Sequence, residues 1–341
     1  SSIKQMSDSP SISVLGAGAW GTALAVHLAR HHSQVKLWAR NADQLEQLIS
    51  DKENKRYLPQ VTIPDNLVAC PDFSELASTS SHIVVATPSS AMRSIMQDIN
   101  RFASGHLRGI IWACKGLEHG SGKFLHQVAE EVLHPDIHNA LLSGPSFAVE
   151  VGKQLPTAVT IASGNLAFAK EAARLFHDPL FRTYISTDVS GVEIGGTYKN
   201  VLAIACGIND GLEYGANARA ALITRGIAEM VRLGKHLDAN PETFMGLSGI
   251  GDIVLTCTEN LSRNRRFGLG LGQGNSLADV ENKIGQVIEG KYAAKVIYEI
   301  GHKLRIDLPI SHQVYEVLYE NKPSRVAVEE LLSRSIKLEA D

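Results

Sequence analysis

The chain has 341 residues, 44% of them hydrophobic and 20% charged, with a formal net charge of −3. That length exceeds what a single core usually supports and points to two domains. The charge balance excludes a general attraction to nucleic acid or to an anionic membrane surface, so any anion site has to be built locally. No apolar run approaches the ~18 residues of a membrane span. The start, Ser1-Ser2-Ile3-Lys4-Gln5-Met6, has no apolar signal core; a cytoplasmic protein without membrane insertion is expected, its first ten residues a loose arm. Cys70, Cys114, Cys206 and Cys257 form no CxxC pair and fall in apolar segments, which predicts reduced core thiols. Among the 13 histidines, the nearest thing to a ligand cluster is His134-Pro-Asp-Ile-His138. It is broken by proline and lacks further ligands, so no metal site is expected.

In chain order, Ser11 to Leu15 is a short aliphatic strand. It runs into Gly16-Ala17-Gly18-Ala19-Trp20-Gly21 and then a helical pattern through Ala29. Strand, GxGxxG and helix together form the context of a dinucleotide-binding loop. Gly16 serves the tight turn, Gly18 lets backbone approach a pyrophosphate, and Gly21 lets the helix pack on the strand; the helix start holds the phosphates. The strand Val35 to Trp38 ends in Ala39-Arg40. An acidic residue there would select NAD, whereas Arg40 can pair with a 2′-phosphate and tilts the cofactor toward NADP. An arginine stacked loosely on the adenine, leaving both cofactors usable, is the other reading. Helices are predicted over 43–50, 91–102, 123–133 and 165–177, with strands over 66–70, 82–87, 109–114, 140–143, 157–162 and 181–186. This alternation predicts one doubly wound α/β domain over 11–190. Lys115 stands at the carboxyl end of a strand, the edge where such sheets bind ligands.

After Asp188 the pattern becomes helical, predicting an all-α domain over 191–335 with a polar tail after Ser335. Its first helix, Val192 to Ile208, is small and apolar around one lysine. Side chains on a helix lean toward its N-terminus, so Lys199 lies over Gly195 and Gly196; Ala203 and Cys206 continue the same small stripe. Either a ligand approaches the lysine there, or the glycines serve close packing. Further helices are predicted over 216–237, 276–283, 291–304, 310–320 and 326–334. The Gly-rich entry Gly246 to Gly251 leads to Asp252, with Thr256 four residues on and so on the same face. Asp252 suits a helix start as a cap, or it orients a substrate hydroxyl or holds the Lys199 ammonium. Ser262-Arg263-Asn264-Arg265-Arg266 reads as a local anion clamp, since guanidinium groups pair bidentately with phosphate.

Seven motifs, in order across nearly the whole chain, carry a family resemblance: Gly16 to Ala25, Tyr57-Leu58-Pro59, Lys115-Gly116-Leu117, Ser143-Gly144-Pro145-Ser146, Lys199-Asn200-Val201 with Ala203 to Gly207, Gly249 to Asp252 with Thr256, and Ser262 to Arg265. Together they resemble the bacterial NAD(P)-dependent sn-glycerol-3-phosphate dehydrogenases. The resemblance implies reversible reduction of dihydroxyacetone phosphate to sn-glycerol 3-phosphate with NAD(P)H, feeding phospholipid synthesis, in a homodimer; Arg40 favours NADPH over NADH. It implies that Lys199 exchanges a proton with the C2 oxygen beside the nicotinamide, and that Lys115 touches both substrate and cofactor. Asp252 joins these two as a catalytic position. Gly144, Ser146, Asn200, Asp252, Thr256, Ser262, Arg263 and Asn264 are implied at the substrate, with Arg263 and Asn264 on its phosphate. Gly16, Gly18, Ala19, Trp20, Gly21, Arg40, Tyr57, Ala148, Arg263, Val287 and Glu289 are implied at the cofactor. Ala19 stands where the family often has serine, losing a hydroxyl, and Ser146 where it often has threonine, keeping one. Two alternatives are a β-hydroxyacid dehydrogenase, which shares GxxxK on this helix but has asparagine where this chain has Ala203, and a non-catalytic NADP-binding sensor.

Overall fold

The computed structural model describes residues 9–333, so the N-terminal arm through Asp8 and the tail after Ser335 lie outside the described residues. The chain divides into two compact units. The first comprises residues up to Cys114, Leu125–Leu142 and Ser146–Thr187; the second comprises Lys115–Phe124, Ser143–Pro145 and everything from Asp188 on.

The described part of the first unit carries eight strands: β1 (Ile12–Leu15), β2 (Val35–Trp38), β3 (Leu67–Ala69), β4 (His82–Val85), β5 (Gly109–Trp112), β6 (His138–Ser143, its last residue assigned to the second unit), β7 (Thr157–Ala162) and β8 (Phe181–Ser186). They form one sheet in the order β3-β2-β1-β4-β5-β6-β7-β8. The pairings of β1 with β2 and β4, β2 with β3, β4 with β5, β5 with β6 and β7 with β8 are parallel. Every residue of β1, β4 and β5 is buried, as expected of strands covered on both faces. The helices are α1 (Ala19–His31), α2 (Ala42–Asp51), α3 (Phe73–Thr79), α4 (Met92–Phe102), α5 (Leu125–Val132), α6 (Ala148–Gly152) and α7 (Leu166–Phe176). The reversal of strand order falls between β1 and β4, the switch point at which such sheets bind ligands. Helix α3, absent from the sequence reading, starts on Asp72, which accepts from the amides of Ser74 and Glu75.

The described part of the second unit is helical: α8 (Val189–Gly211), α9 (Ala216–His236), α10 (Asp252–Thr258), α11 (Arg263–Gly272), α12 (Leu277–Ile284), α13 (Glu289–Leu304), α14 (Pro309–Tyr319) and α15 (Ser324–Leu332). Helix α8 is buried on all sides, which explains its apolar composition all round. Its core neighbours include Met230, Phe244, Phe267, Ile297 and Val314. Helix α11 was masked in the sequence by its arginines and glycines. Those glycines bring it against α8: a Cβ on Gly207 would meet the Arg265 carbonyl oxygen at 2.2 Å, and one on Gly268 would meet the Ile204 carbonyl oxygen at 2.1 Å. Tyr198 and Glu229 bond inside the same unit, where Glu229 also accepts from the amides of Ile310 and Ser311.

Gly268→Ala is therefore expected to destabilise the protein by about 1–3 kcal/mol or more, because the added methyl has a backbone carbonyl in its place. Gly105→Ala, with open space at its Cβ position, is expected to change stability by about 0.5 kcal/mol or less. Urea unfolding of the two variants checks the difference.

Candidate active site

In the first unit the glycines divide their work. Gly16 has φ +108°, and a Cβ there would lie 2.6 Å from the Ala86 carbonyl oxygen; a Cβ on Gly21 would lie 2.0 Å from the Gly16 carbonyl oxygen. These two hold strand, turn and helix together. Gly18 has nothing within 4 Å of its Cβ position, so the backbone there is open to an incoming group. Helix α1 begins at Ala19 with no side-chain cap and no acidic residue in its first turn, leaving its amides and positive end for an anion. The residues present thus fit the pyrophosphate of a dinucleotide. Trp20 donates from Nε1 to the Ala113 carbonyl oxygen at 3.2 Å. Arg40 is exposed just past β2, Tyr57 is half-buried beneath the Arg56 guanidinium, and Ala148 is half-buried at the start of α6. Sequence reasoning missed Asn54. Its side-chain amide donates to the Ala17 carbonyl oxygen and to Thr22 Oγ1, both at 2.9 Å, and its Oδ1 accepts from the Tyr57 amide. One buried asparagine so ties the Tyr57 loop to the glycine-rich turn, and no periodicity in the sequence announces it.

In the second unit Lys199, Asp252 and Lys115 converge. Lys199 Nζ lies 2.5 Å and Lys115 Nζ 3.0 Å from Asp252 Oδ2, and Lys115 also donates to the Gly144 carbonyl oxygen at 3.0 Å. Asp252 is 1% exposed. Burial works to raise its pKa, but the two ammonium groups outweigh burial and hold the carboxyl below its ordinary range. For Lys199, burial and the neighbouring Lys115 ammonium outweigh the attraction of Asp252 and bring the pKa down to about 7. Two cations around one carboxylate leave a local excess of one positive charge, suited to an anionic ligand. Thr256 Oγ1 donates to Asp252 Oδ1 at 3.3 Å.

The backbone makes this cluster possible. Leu247–Gly251 is a π-helical turn leading into α10, a feature frequent at functional sites. A Cβ on Gly195 would sit 2.4 Å from the Ser248 carbonyl oxygen, so this glycine lets the turn lie directly on α8 and delivers Asp252 to Lys199. Of the two readings open for these glycines, Gly195 takes the second and serves packing. Only Gly196 faces side chains, with Ser143 Oγ 3.4 Å and Lys115 Cγ 3.8 Å from its Cβ position. Ser143 Oγ is buried without a hydrogen-bond partner. Asp252 is not the cap of α10, which begins without a side-chain cap.

The arginine clamp is also corrected. Arg265 is buried and spent on structure, donating to Asp210, to Asn260 Oδ1 and to the Cys257 carbonyl oxygen. Arg266 is exposed. Ser262 caps α11 by accepting from the Arg265 amide, and Asn264 Oδ1 accepts from the Gly290 amide at 2.8 Å. Arg263 remains, half-buried, donating to Gln286 Oε1 at 3.0 Å; burial lowers its pKa and Glu289 opposes that. Glu289 opens α13 and Val287, just before it, is 59% exposed. Asn200 is buried next to Lys199, and Ser146 is half-buried at the start of the third segment of the first unit. The four cysteines form no disulfide; Cys70, Cys206 and Cys257 are buried as expected of core thiols, whereas Cys114 is partly exposed. Among the described residues, no helix is long and apolar enough to cross a membrane.

Two family models match the chain. Residues 11–169 match the N-terminal part, and residues 188–329 the C-terminal part, of NAD-dependent glycerol-3-phosphate dehydrogenase. The NAD(P)+ glycerol-3-phosphate dehydrogenase of Methylococcus capsulatus is 48% identical over 334 residues, covering 97% of this chain and 98% of that protein. The crystal structure of glycerol-3-phosphate dehydrogenase from Coxiella burnetii is 43% identical with a TM-score of 0.90, over 96% of this chain and 99% of that one. The enzyme of Saccharomyces cerevisiae, at 27% identity, still superposes with a TM-score of 0.83 over 96% of this chain and 100% of its own. Matched in both halves and nearly half identical to a relative over its length, the chain belongs to the NAD-dependent glycerol-3-phosphate dehydrogenase family.

Proposed function

We propose that the chain reversibly reduces dihydroxyacetone phosphate to sn-glycerol 3-phosphate with NAD(P)H, with Lys199 as proton donor and acceptor. The name shared by its relatives supports the reaction. The Lys199–Asp252–Lys115 cluster supports the assignment of roles. When bound, NAD(P)H would be held at its pyrophosphate by the glycine-rich turn of the first unit and would supply a hydride. As C2 accepts it, negative charge develops on the C2 oxygen. A buried ammonium with a pKa of about 7 can stabilise that charge and then give up its proton, leaving Lys199 neutral until solvent reprotonates it. Lys115 adds a second positive charge, and Asp252 holds both lysines in place. The unpartnered Ser143 hydroxyl and the Gly144 turn offer further contacts to a hydroxylated substrate. Arg263 and the start of α11, with Asn264, are assigned to the phosphate. Thr256, Asn200, Ser146 and Ser262 complete the substrate set on family resemblance, as Trp20, Arg40, Tyr57, Ala148, Val287 and Glu289 complete the cofactor set.

The exposed Arg40 supports NADPH as the favoured cofactor. Cytoplasmic location, a homodimer and a role in phospholipid synthesis rest on family resemblance. The β-hydroxyacid dehydrogenase reading loses support because Ala203 is fully buried in the core where that class uses asparagine, and the family assignment displaces the sensor reading.

Addition of dihydroxyacetone phosphate is expected to oxidise NADPH faster than NADH. Lys199→Ala should lower turnover by about 10²- to 10⁴-fold while cofactor affinity stays near wild type; full turnover in that variant contradicts the assignment. Arg263→Ala should chiefly raise the KM for dihydroxyacetone phosphate, because a phosphate supplies binding energy remote from the reacting carbon. Steady-state kinetics showing a loss confined to kcat would remove Arg263 from that role.

A further inference from the structure

Among the described residues, His27, His31 and Asp178 place three ligand atoms within 4.8 Å of one another. The two histidines stand four residues apart on α1 and so share a face. Asp178 comes from the corner between α7 and β8. Its Oδ1 is occupied, accepting from the amides of Leu180 and Phe181. Its Oδ2 faces the rings, 2.5 Å from His31 Nε2 and 3.9 Å from His27 Nδ1.

The tautomer of His27 decides what this arrangement can do. Its Nε2 lies 2.6 Å from the Phe176 carbonyl oxygen, and a carbonyl only accepts, so the ring hydrogen sits on Nε2. Nδ1 therefore turns a bare lone pair toward the Asp178 carboxylate. Two acceptors confront each other with no hydrogen between them, an arrangement that a shared cation resolves. A ring nitrogen donating to a backbone carbonyl while the other ligates is also the usual orientation of a metal-binding histidine. Arg30, the nearest further cation on the helix, directs its guanidinium to the Gly152 carbonyl oxygen. A hollow lined in part by His27, Asp178, Gln154 and Leu155 adjoins two of the three ligands and leaves room for solvent on the metal.

We propose that His27 Nδ1, His31 Nε2 and Asp178 Oδ2 form a binding site for a divalent cation of the zinc class, with water in the remaining position. Two imidazoles and one carboxylate are a donor set that suits zinc. The metal takes the place of the hydrogen between His31 and Asp178, and His31 then carries its ring hydrogen on Nδ1. Bound there, it clamps the last turn of α1, the helix that begins at the glycine-rich turn, to the α7–β8 corner. All three ligands belong to the first unit.

The test uses the full chain stripped with a chelator, titrated with Zn²⁺ by calorimetry and with Co²⁺ by visible absorption. One equivalent per chain is expected, with affinity falling at least about tenfold in His31→Gln and in Asp178→Asn. His31 is half-exposed, so its replacement leaves the fold intact, which circular dichroism verifies. A His134→Gln/His138→Gln variant should bind as wild type does. No saturable binding in the wild-type protein, undiminished binding in His31→Gln, or loss in the His134/His138 variant would overturn the proposal.

Discussion

A single buried carboxylate organises the lysine cluster of the second unit. Asp252 is almost fully removed from water, and an unpaired carboxylate in that position would be prohibitively costly. Lys199 and Lys115 satisfy it, and they come from chain segments far apart in sequence. Removing one partner of such a buried pair typically costs about 3–5 kcal/mol, so the fold depends on the same contacts that the proposed chemistry uses. The two requirements do not cancel. One carboxylate cannot balance two ammonium groups, and the remaining positive charge suits a phosphorylated ketone and its developing alkoxide in the proposed reaction.

Holding two lysines on one oxygen demands close backbone approach, which the small residues of α8 supply. Gly195 admits the Ser248 carbonyl, and Gly207 admits the Arg265 carbonyl from α11. The first contact sets Asp252 over Lys199. The second fixes the start of α11, where Ser262, Arg263 and Asn264 stand. Arg265 locks that start through Asp210 and is spent on structure. Glycines that weaken a helix in isolation thus become the means by which two helices position charged groups to within ångströms.

Much of this was legible in the sequence because it is local. The strand, GxGxxG and helix around Gly16 to Gly21, the alternation of strands and helices, and the lysine among small residues all follow from patterns within a few turns of chain. What escaped was non-local. Asn54 serves the glycine-rich turn through partners 32 and 37 residues away, and Arg265 pairs with Asp210 at a separation of 55; no local pattern distinguishes a structural arginine from a ligand-binding one beside it. A helical wheel shows that the face at Gly195 is empty but not which backbone fills it, so the sequence left ligand access and close packing both open. The same limit hid the third member of the histidine cluster: His27 and His31 are spaced as ligands on α1, but Asp178 lies nearly 150 residues further on.

The dependence of Lys199 on its neighbours is tested most directly by the pH profile of kcat/KM for dihydroxyacetone phosphate reduction, compared between wild type and Asp252→Asn. Reduction needs Lys199 protonated, so the wild-type rate should fall as pH rises through about 7, since kcat/KM reports groups of the free enzyme. Removing the carboxylate leaves Lys115 to repel the Lys199 ammonium with nothing opposing it, so the fall should move to lower pH. A profile unchanged in Asp252→Asn, or displaced to higher pH, would contradict the account of a lysine poised by one carboxylate and a second lysine.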